Sequence, residues 1–241
     1  MRIITVDNGN TNPHVGIFQD EKLVSIIPLK DFTIQKDDFI LISDVGAPLS
    51  FKPSFDLKTK RHSSNNQNLF FDMPVHYAET LGDDRLISAY FLFKQIKATE
   101  TILLIDAGTF MTMDLVSEKG FLGGYIFPGI NTFLSSYKLG ANLSVLEPKK
   151  EPKKDFKITD LPHSTEEAIL GAADCYLDSI LESVIKKTSP SKIIITGGSL
   201  ELINNKILKL NLSKVQIETS RHLLHSSLFL IYQNHFRSKY P

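Results

Sequence analysis

Two acidic residues, each at the end of an apolar run and each followed by a glycine, are the groups in this chain best suited to chemistry. The first stands in Ile4-Thr5-Val6-Asp7-Asn8-Gly9-Asn10-Thr11. The second stands 99 residues later in Leu103-Leu104-Ile105-Asp106-Ala107-Gly108-Thr109. Both are followed by a second apolar run, Val15 to Phe18 and Met113 to Val116. Strand, acid, glycine-hydroxyl turn and strand make a hairpin that can meet a phosphate, because glycine lets backbone N–H groups approach an anion closely. A carboxylate in that place repels phosphate unless it holds a cation or positions a reacting group. One such Asp would do no more than cap a turn. Two in matched contexts imply two similar half-domains facing each other across a nucleotide-phosphate cleft.

Three further constellations add to this pair. Gly82-Asp83-Asp84-Arg85 puts two acids and a base at a predicted helix start. Dipole matching alone would account for the acids. The chemical reading uses one carboxylate to take a hydroxyl proton and the arginine to grip an anionic group in bidentate fashion. Gly123-Gly124-Tyr125-Ile126-Phe127-Pro128-Gly129 is either plain turn chemistry or a backbone laid against a ligand with a helix N-terminus behind it. Thr196-Gly197-Gly198 is a strand-to-helix turn of a kind that packs on nucleotides.

Composition fixes the setting. The 241 residues fit two compact halves, expected at 1–100 and 101–241. With 27 basic and 27 acidic residues the net charge is zero, which gives no electrostatic case for nucleic-acid binding. A lone cysteine, Cys175, excludes an intramolecular disulfide and fits a reducing compartment. It is expected in a helix core. No apolar run is long enough to span a membrane, and the N-terminal residues lack a signal peptide's apolar stretch, so the cytoplasm is the expected location. The seven histidines lack metal-ligand spacing, and sixteen phenylalanines without tryptophan describe a core.

The elements that must position these residues alternate strand-rich and helical stretches twice, which predicts a duplicated α/β fold. Strands are expected at 2–7, 13–19, 22–29, 39–43, 101–106, 191–196 and 214–218. Residues 56–68 are polar and turn-rich and read as a surface loop. Helices are expected over 83–97, from Pro128-Gly129 onward, over 164–187 with a capping box between Ser164 and Glu167, after Gly198, and over 220–233. Residues 147–157 read as a charged, solvated loop, since acids and prolines break up their lysines.

Taken together, the motifs resemble those of type III pantothenate kinases, in the acetate kinase, Hsp70 and actin superfamily. The match runs in order over roughly residues 3–200. It comprises Asp7 to Thr11, Leu81 to Arg85, Asp106 to Asp114, Gly123 to Gly129, Ser164-Thr165 and Thr196 to Gly198. Phe110 stands where that family usually has alanine. Its ring could narrow the nucleotide site or pack into a neighbouring gap.

The resemblance implies two RNase H-like half-domains and roles for individual residues. Asp7, Asn8, Gly9, Asn10, Thr11, Asn12, Pro13 and His14 would form the first ATP phosphate loop, with Asp7 near magnesium. Thr109, Gly197 and Gly198 would also meet ATP. Asp84 would be the general base on the pantothenate alcohol. Tyr77, Gly82, Asp83, Asp84, Arg85 and Thr165 would line the pantothenate site, with Arg85 on its carboxylate. Asp106 would hold a monovalent cation, potassium or ammonium. A homodimer is implied as well, and an apolar helix such as Leu134 to Leu143 could supply its interface. The alternatives are another small-molecule kinase of the superfamily and a catalytically silent relative of the transcription accessory type. The intact Asp7, Asp84 and Asp106, and the Gly82 to Arg85 motif, argue against both.

Overall fold

Three apolar stretches separated by short polar turns open the chain and form β1 (Ile3–Asn8), β2 (His14–Gln19) and β3 (Lys22–Pro28). In this computed structural model, residues 1–64, 67–140 and 161–239 are described. Strand β2 turns into β3 through Asp20 and Glu21, both at positive φ, as a two-residue hairpin turn requires. Strand β4 (Phe39–Asp44) lies parallel to β1, and the sheet order is β3-β2-β1-β4.

Next come β5 (Arg61–Ser64), β6 (Gln67–Phe70), β7 (Met73–Val75) and helix α1 (Asp83–Phe93). The second Asp-x-Gly copy is carried by β8 (Thr101–Ala107) and β9 (Phe110–Ser117), followed by β10 (Gly120–Pro128) and α2 (Ile130–Ser136). The chain ends with α3 (Thr165–Thr188), β11 (Lys192–Thr196), α4 (Leu200–Lys209), β12 (Gln216–Thr219) and α5 (Leu223–His235).

The fold is mixed α/β, and the chain separates into two compact units. Unit 1 comprises Met1–Ile102, Asp114–Gly124 and the segment from Ser220 onward. Unit 2 comprises Leu103–Met113 and Tyr125–Thr219. In an eight-stranded sheet of order β12-β11-β8-β9-β10-β7-β6-β5, the run β10-β9-β8-β11 repeats β3-β2-β1-β4, with β12 added at one end and β7-β6-β5 at the other, so the duplication read from the motifs is also present in the topology.

In unit 1, β1 is buried on both faces. Ile4, Val6, Val15, Ile40 and Ile42 form one apolar layer. On the other face α5 packs across the sheet, with the Phe18 and Phe229 rings stacked at 4.2 Å. A strand covered on both sides must be apolar throughout, which explains the unbroken run before Asp7. Tyr90 ties α1 to α5: its hydroxyl donates to Asp72 Oδ1 at 3.1 Å and lies 2.9 Å from His235 Nε2. In unit 2, Leu103, Ile105, Met111 and Met113 pack with Leu177, Leu181, Ile193, Ile203 and Ile207. Lys206 is buried there and bonds Asp174 and Asp178, one turn apart on α3.

Several local expectations change. Residues 57–60 form a 3-10 turn, and 61–64 and 67–68 of the supposed surface loop belong to the antiparallel pair β5 and β6. Helix α1 stops at Phe93 instead of running to Lys97. Pro128 ends β10, and Gly129 caps α2. The segment expected as one apolar helix is α2 plus a 3-10 turn at Tyr137–Leu139, with 141–143 outside the described residues. The expected 147–157 loop also lies outside them. Cys175 is exposed, because α3 turns its 177, 181 and 184 face to the core and 175 away from it. Ser164 caps α3 as expected: its Oγ accepts from the Glu167 N–H, and Glu167 Oε2 accepts from the His163 N–H.

Candidate active site

Asp7 lies in β1 opposite His14 of β2, with Asp7 Oδ2 3.6 Å from His14 Nδ1. Burial pushes the Asp7 carboxyl up to about 6. His14 and the Gly9 N–H oppose that rise, and the Asp84 carboxylate adds to it. A carboxylate short of water and close to a second carboxylate is one that a cation would stabilise. Asn8 is buried, and its amide donates to Asp44 Oδ1 at 2.6 Å and to the Ala47 carbonyl at 2.7 Å. It therefore fastens the strand end below the turn, while Gly9 to Pro13 form the turn itself.

Asp84 sits in the first turn of α1, where the helix dipole favours its charge. Its Oδ1 accepts from the Arg85 N–H at 2.8 Å. The same oxygen comes so close to Gly82 that a Cβ there would lie 2.5 Å from it, which explains the glycine. Asp7 and Asp84, widely separated in sequence, both belong to unit 1, and the Asp84 charge is felt at Asp7.

Beside them is a cavity of about 530 Å³, whose wall includes Lys58, Arg61, Asn68, Tyr77, Gly82 and Asp83. Its size suits a small organic ligand. Arg61 donates Nη1 to the Leu81 carbonyl at 2.8 Å and Nη2 to Asp83 Oδ1. Burial raises the Asp83 carboxyl, and Arg61 and Lys58 oppose this. Arg85 is only 6% exposed, and its Nε and Nη2 are taken by Asp114. Its guanidinium lies 5.3 Å from the Tyr77 ring centroid. The buried Arg85–Asp114 pair joins the last residues of two separate motifs, which the sequence offered no way to foresee.

In unit 2 the second turn is held tightly. Gly197, at φ +91, lies against Asp106 and the Ala107 backbone, where a Cβ would come within 2.4 Å of Asp106 Oδ1. The Ser199 N–H donates to the Ala107 carbonyl at 2.9 Å, docking the Thr-Gly-Gly turn onto β8. Gly129 closes the other side: its N–H donates to the Thr109 carbonyl at 3.0 Å. Gly198 faces open space, and Thr165 is exposed at the start of α3. Phe110 is 50% exposed, so its ring does not fill a gap in the core.

Oxygen donors suit hard cations. Among the described residues no group of three or more His, Cys, Asp or Glu side chains gathers in a metal-holding arrangement. A magnesium ion carried largely by substrate phosphates needs only one or two carboxylates, and Asp7 fits that demand.

The family profile for type III pantothenate kinases matches residues 50–186, more than half of the chain. The chain belongs to that family. A type III pantothenate kinase of Aquifex aeolicus is 29% identical over 212 residues, spanning 82% of this chain and 87% of its own. One from Christiangramia forsetii is 29% identical over 247 residues, spanning 95% and 97%. Among solved structures, a Campylobacter jejuni protein assigned to the Baf family of transcriptional activators aligns with a TM-score of 0.59 at 17% identity, covering 95% of this chain and 97% of its own. A Sinorhizobium meliloti protein assigned as a 2-dehydro-3-deoxygalactonokinase aligns with a TM-score of 0.56 at 9% identity, covering 98% and 99%. At such identities these two likenesses speak to fold alone. The profile begins at residue 50, so it includes the β5–β6 hairpin that supplies Arg61 and Asn68 to the cavity. Sequence reasoning took that stretch for a surface loop; most of its described residues are exposed, but it also pairs as strands and contributes to the cavity wall.

Proposed function

We propose that this type III pantothenate kinase transfers the γ-phosphoryl group of ATP to the primary alcohol of pantothenate, giving 4'-phosphopantothenate, the first committed compound on the way to coenzyme A. The observation that carries the reading is the family match together with Asp84 in the first turn of α1, next to a cavity lined by Tyr77, Gly82 and Asp83. Phosphoryl transfer passes through a loose transition state that asks for positioning and charge neutralisation more than for covalent help.

Asp84 orients the alcohol and accepts its proton late in the reaction. Asp7 faces the phosphate end, with the turn from Asn8 to His14 wrapped around it. Magnesium, bound by the ATP phosphates with Asp7 as a protein ligand, would supply charge neutralisation. Thr109, Gly197 and Gly198 meet ATP in unit 2, and Asp106 holds the monovalent cation, potassium or ammonium. Thr165 contacts pantothenate. The working form is a cytoplasmic homodimer.

The test is ADP release by purified protein with ATP, magnesium and potassium, with and without pantothenate. Pantothenate-dependent ADP that vanishes when sodium replaces potassium supports both the reaction and the cation role. ADP release from folded protein that pantothenate does not stimulate overturns the reading. In the Asp84→Asn variant kcat should fall about 10²–10⁴-fold while pantothenate binding stays intact. Unchanged turnover there would remove Asp84 as the base.

A further inference from the structure

Helix α5 lies beyond the stretch that the family profile matches, yet it runs along the strand pair that carries Asp7. In that pair Ile3 stands opposite Phe18, Thr5 opposite Gly16 and Asp7 opposite His14, so these six residues share one face. Phe229 of α5 stacks on Phe18. One helical turn earlier, His225 sits over Thr5 and Gly16 and is 1% exposed. Gly16 makes room for the imidazole, because a Cβ there would come within 2.8 Å of His225 Nδ1 and 2.6 Å of Thr5 Oγ1. The Thr5 hydroxyl donates its one proton to the Gly16 carbonyl at 3.2 Å. It therefore accepts from His225 Nδ1, 2.8 Å away, which fixes the Nδ1–H tautomer. Among the described residues, His225 Nε2 is buried without a hydrogen-bond partner.

The His225 ring also rests against that of His14, with centroids 4.8 Å apart. His14 Nδ1 lies 3.6 Å from Asp7 Oδ2, beyond hydrogen-bond reach, and has no hydrogen-bond partner among the described residues. On that side His14 is held by packing against His225 and not by a bond to the carboxylate. A leucine at 225 would fill the space without burying an unsatisfied ring nitrogen, so stability alone does not account for the imidazole. We infer that His225 is a positioning residue for the first phosphate turn: from α5 it fixes Thr5 and His14, and through them the direction of the Asp7 carboxylate and the β1 end of the turn from Gly9 to Pro13. This rests on the reading of that turn as a nucleotide-phosphate loop.

The experiment measures ADP affinity by calorimetry in the presence of magnesium, alongside KM for ATP and for pantothenate, on the full chain. His225→Leu should weaken ADP binding and raise KM for ATP about tenfold, with KM for pantothenate unmoved. His225→Asn, which keeps a donor toward Thr5, should recover most of the loss. Phe229→Leu is the control on the same helix face: it removes the ring stacked on Phe18, so it should lower the urea midpoint and leave ADP affinity unchanged. If His225→Leu folds poorly, Thr5→Val carries the test, since it keeps the β-branched shape and loses only the hydroxyl. Its ADP affinity should fall about threefold. ADP affinity that is unmoved in folded His225→Leu or in Thr5→Val, or that falls as far in Phe229→Leu, overturns the assignment. An unsubstituted protein that binds no ADP overturns it together with the phosphate loop. One that binds ADP but does not phosphorylate pantothenate overturns the proposed reaction alone, and the ADP comparison still decides the role of His225.

Discussion

The two Asp-x-Gly turns begin from the same phrase and are packed differently. Between β1 and β2 the turn spans five residues, Gly9 to Pro13, and between β8 and β9 only two, Gly108 and Thr109. Above the first, Gly46 closes on the carbonyls of Asn8 and Gly9, but the loop beyond them is long. The second is gripped from both sides, by Gly197 at Asp106 and Ala107 and by Gly129 at the carbonyls of Gly108 and Thr109. A long turn can adjust to a phosphate chain that changes shape during transfer. A short clamped turn suits an ion of fixed size. Duplication thus supplied one device twice, and the packing around each copy gave the two different amounts of slack.

The sharpest way to separate the copies is to remove each carboxylate. If Asp7 has the proposed role, Asp7→Asn should lower kcat/KM a hundredfold or so and raise the magnesium needed for half-maximal rate, because the proposed protein ligand for a phosphate-bound cation would be lost. Asp106→Asn should leave the magnesium requirement unchanged and abolish the response to potassium. Titrating both ions against both variants checks this, and a shared loss of the magnesium response would erase the distinction.

Smaller effects are expected from the glycines that set the slack. Gly197→Ala combines a positive φ with a Cβ 2.4 Å from Asp106 Oδ1, and should cost about 2–4 kcal/mol. Gly46→Ala has no positive φ and meets the Asn8 carbonyl at 2.7 Å, so its cost should be smaller, about 1–2 kcal/mol. Urea midpoints for the two variants measure the difference. Equal costs would mean that the two turns are equally clamped.

The smallest effect concerns the support under the first turn, which has no parallel under the second among the described residues. His225 of α5 is 1% exposed, with its Nδ1 2.8 Å from Thr5 Oγ1 and its ring 4.8 Å from that of His14. Burial, with help from His14 and His222, pushes its pKa down to about 3. Between about pH 6.5 and 3 the unfolded chain therefore holds a proton at this position that the folded chain refuses. Stability contributed here is complete above pH 6.5 and declines as pH falls, by about 1–2 kcal/mol on going from pH 7 to 5. Asp7 works in the opposite sense: with its pKa raised to about 6, the folded chain holds the extra proton between about pH 4 and 6. His225→Gln should flatten the loss on acidification and leave the Asp7 trend visible. Denaturant melts at pH 7 and 5, without magnesium, are the measurement.

Much of this was legible in the chain itself. The apolar runs before Asp7 and Asp106 could only be strands buried on both faces, and β1 and β8 are such strands. Ser164 and Glu167 announced the α3 cap because capping depends only on residues three apart. Within 56–68 the exposure was legible, since most of the described residues are exposed, but the pairing of β5 with β6 was not, because polar strands exposed to solvent have the composition of a loop. Cys175 misled because an apolar neighbourhood in sequence does not fix which way a helix turns.

The sequence by itself determined the strand-turn-strand devices, the duplicated order and the family, since each depends on residue types at fixed short spacing. Only the tertiary structure decided which charges act on one another. The Asp84 charge acts on Asp7, Asp114 neutralises Arg85, and α5 returns from the C-terminal part of the chain to cover β1. These are contacts between distant segments, set by how buried faces pair and by which charges must leave water together, and no local spacing encodes them.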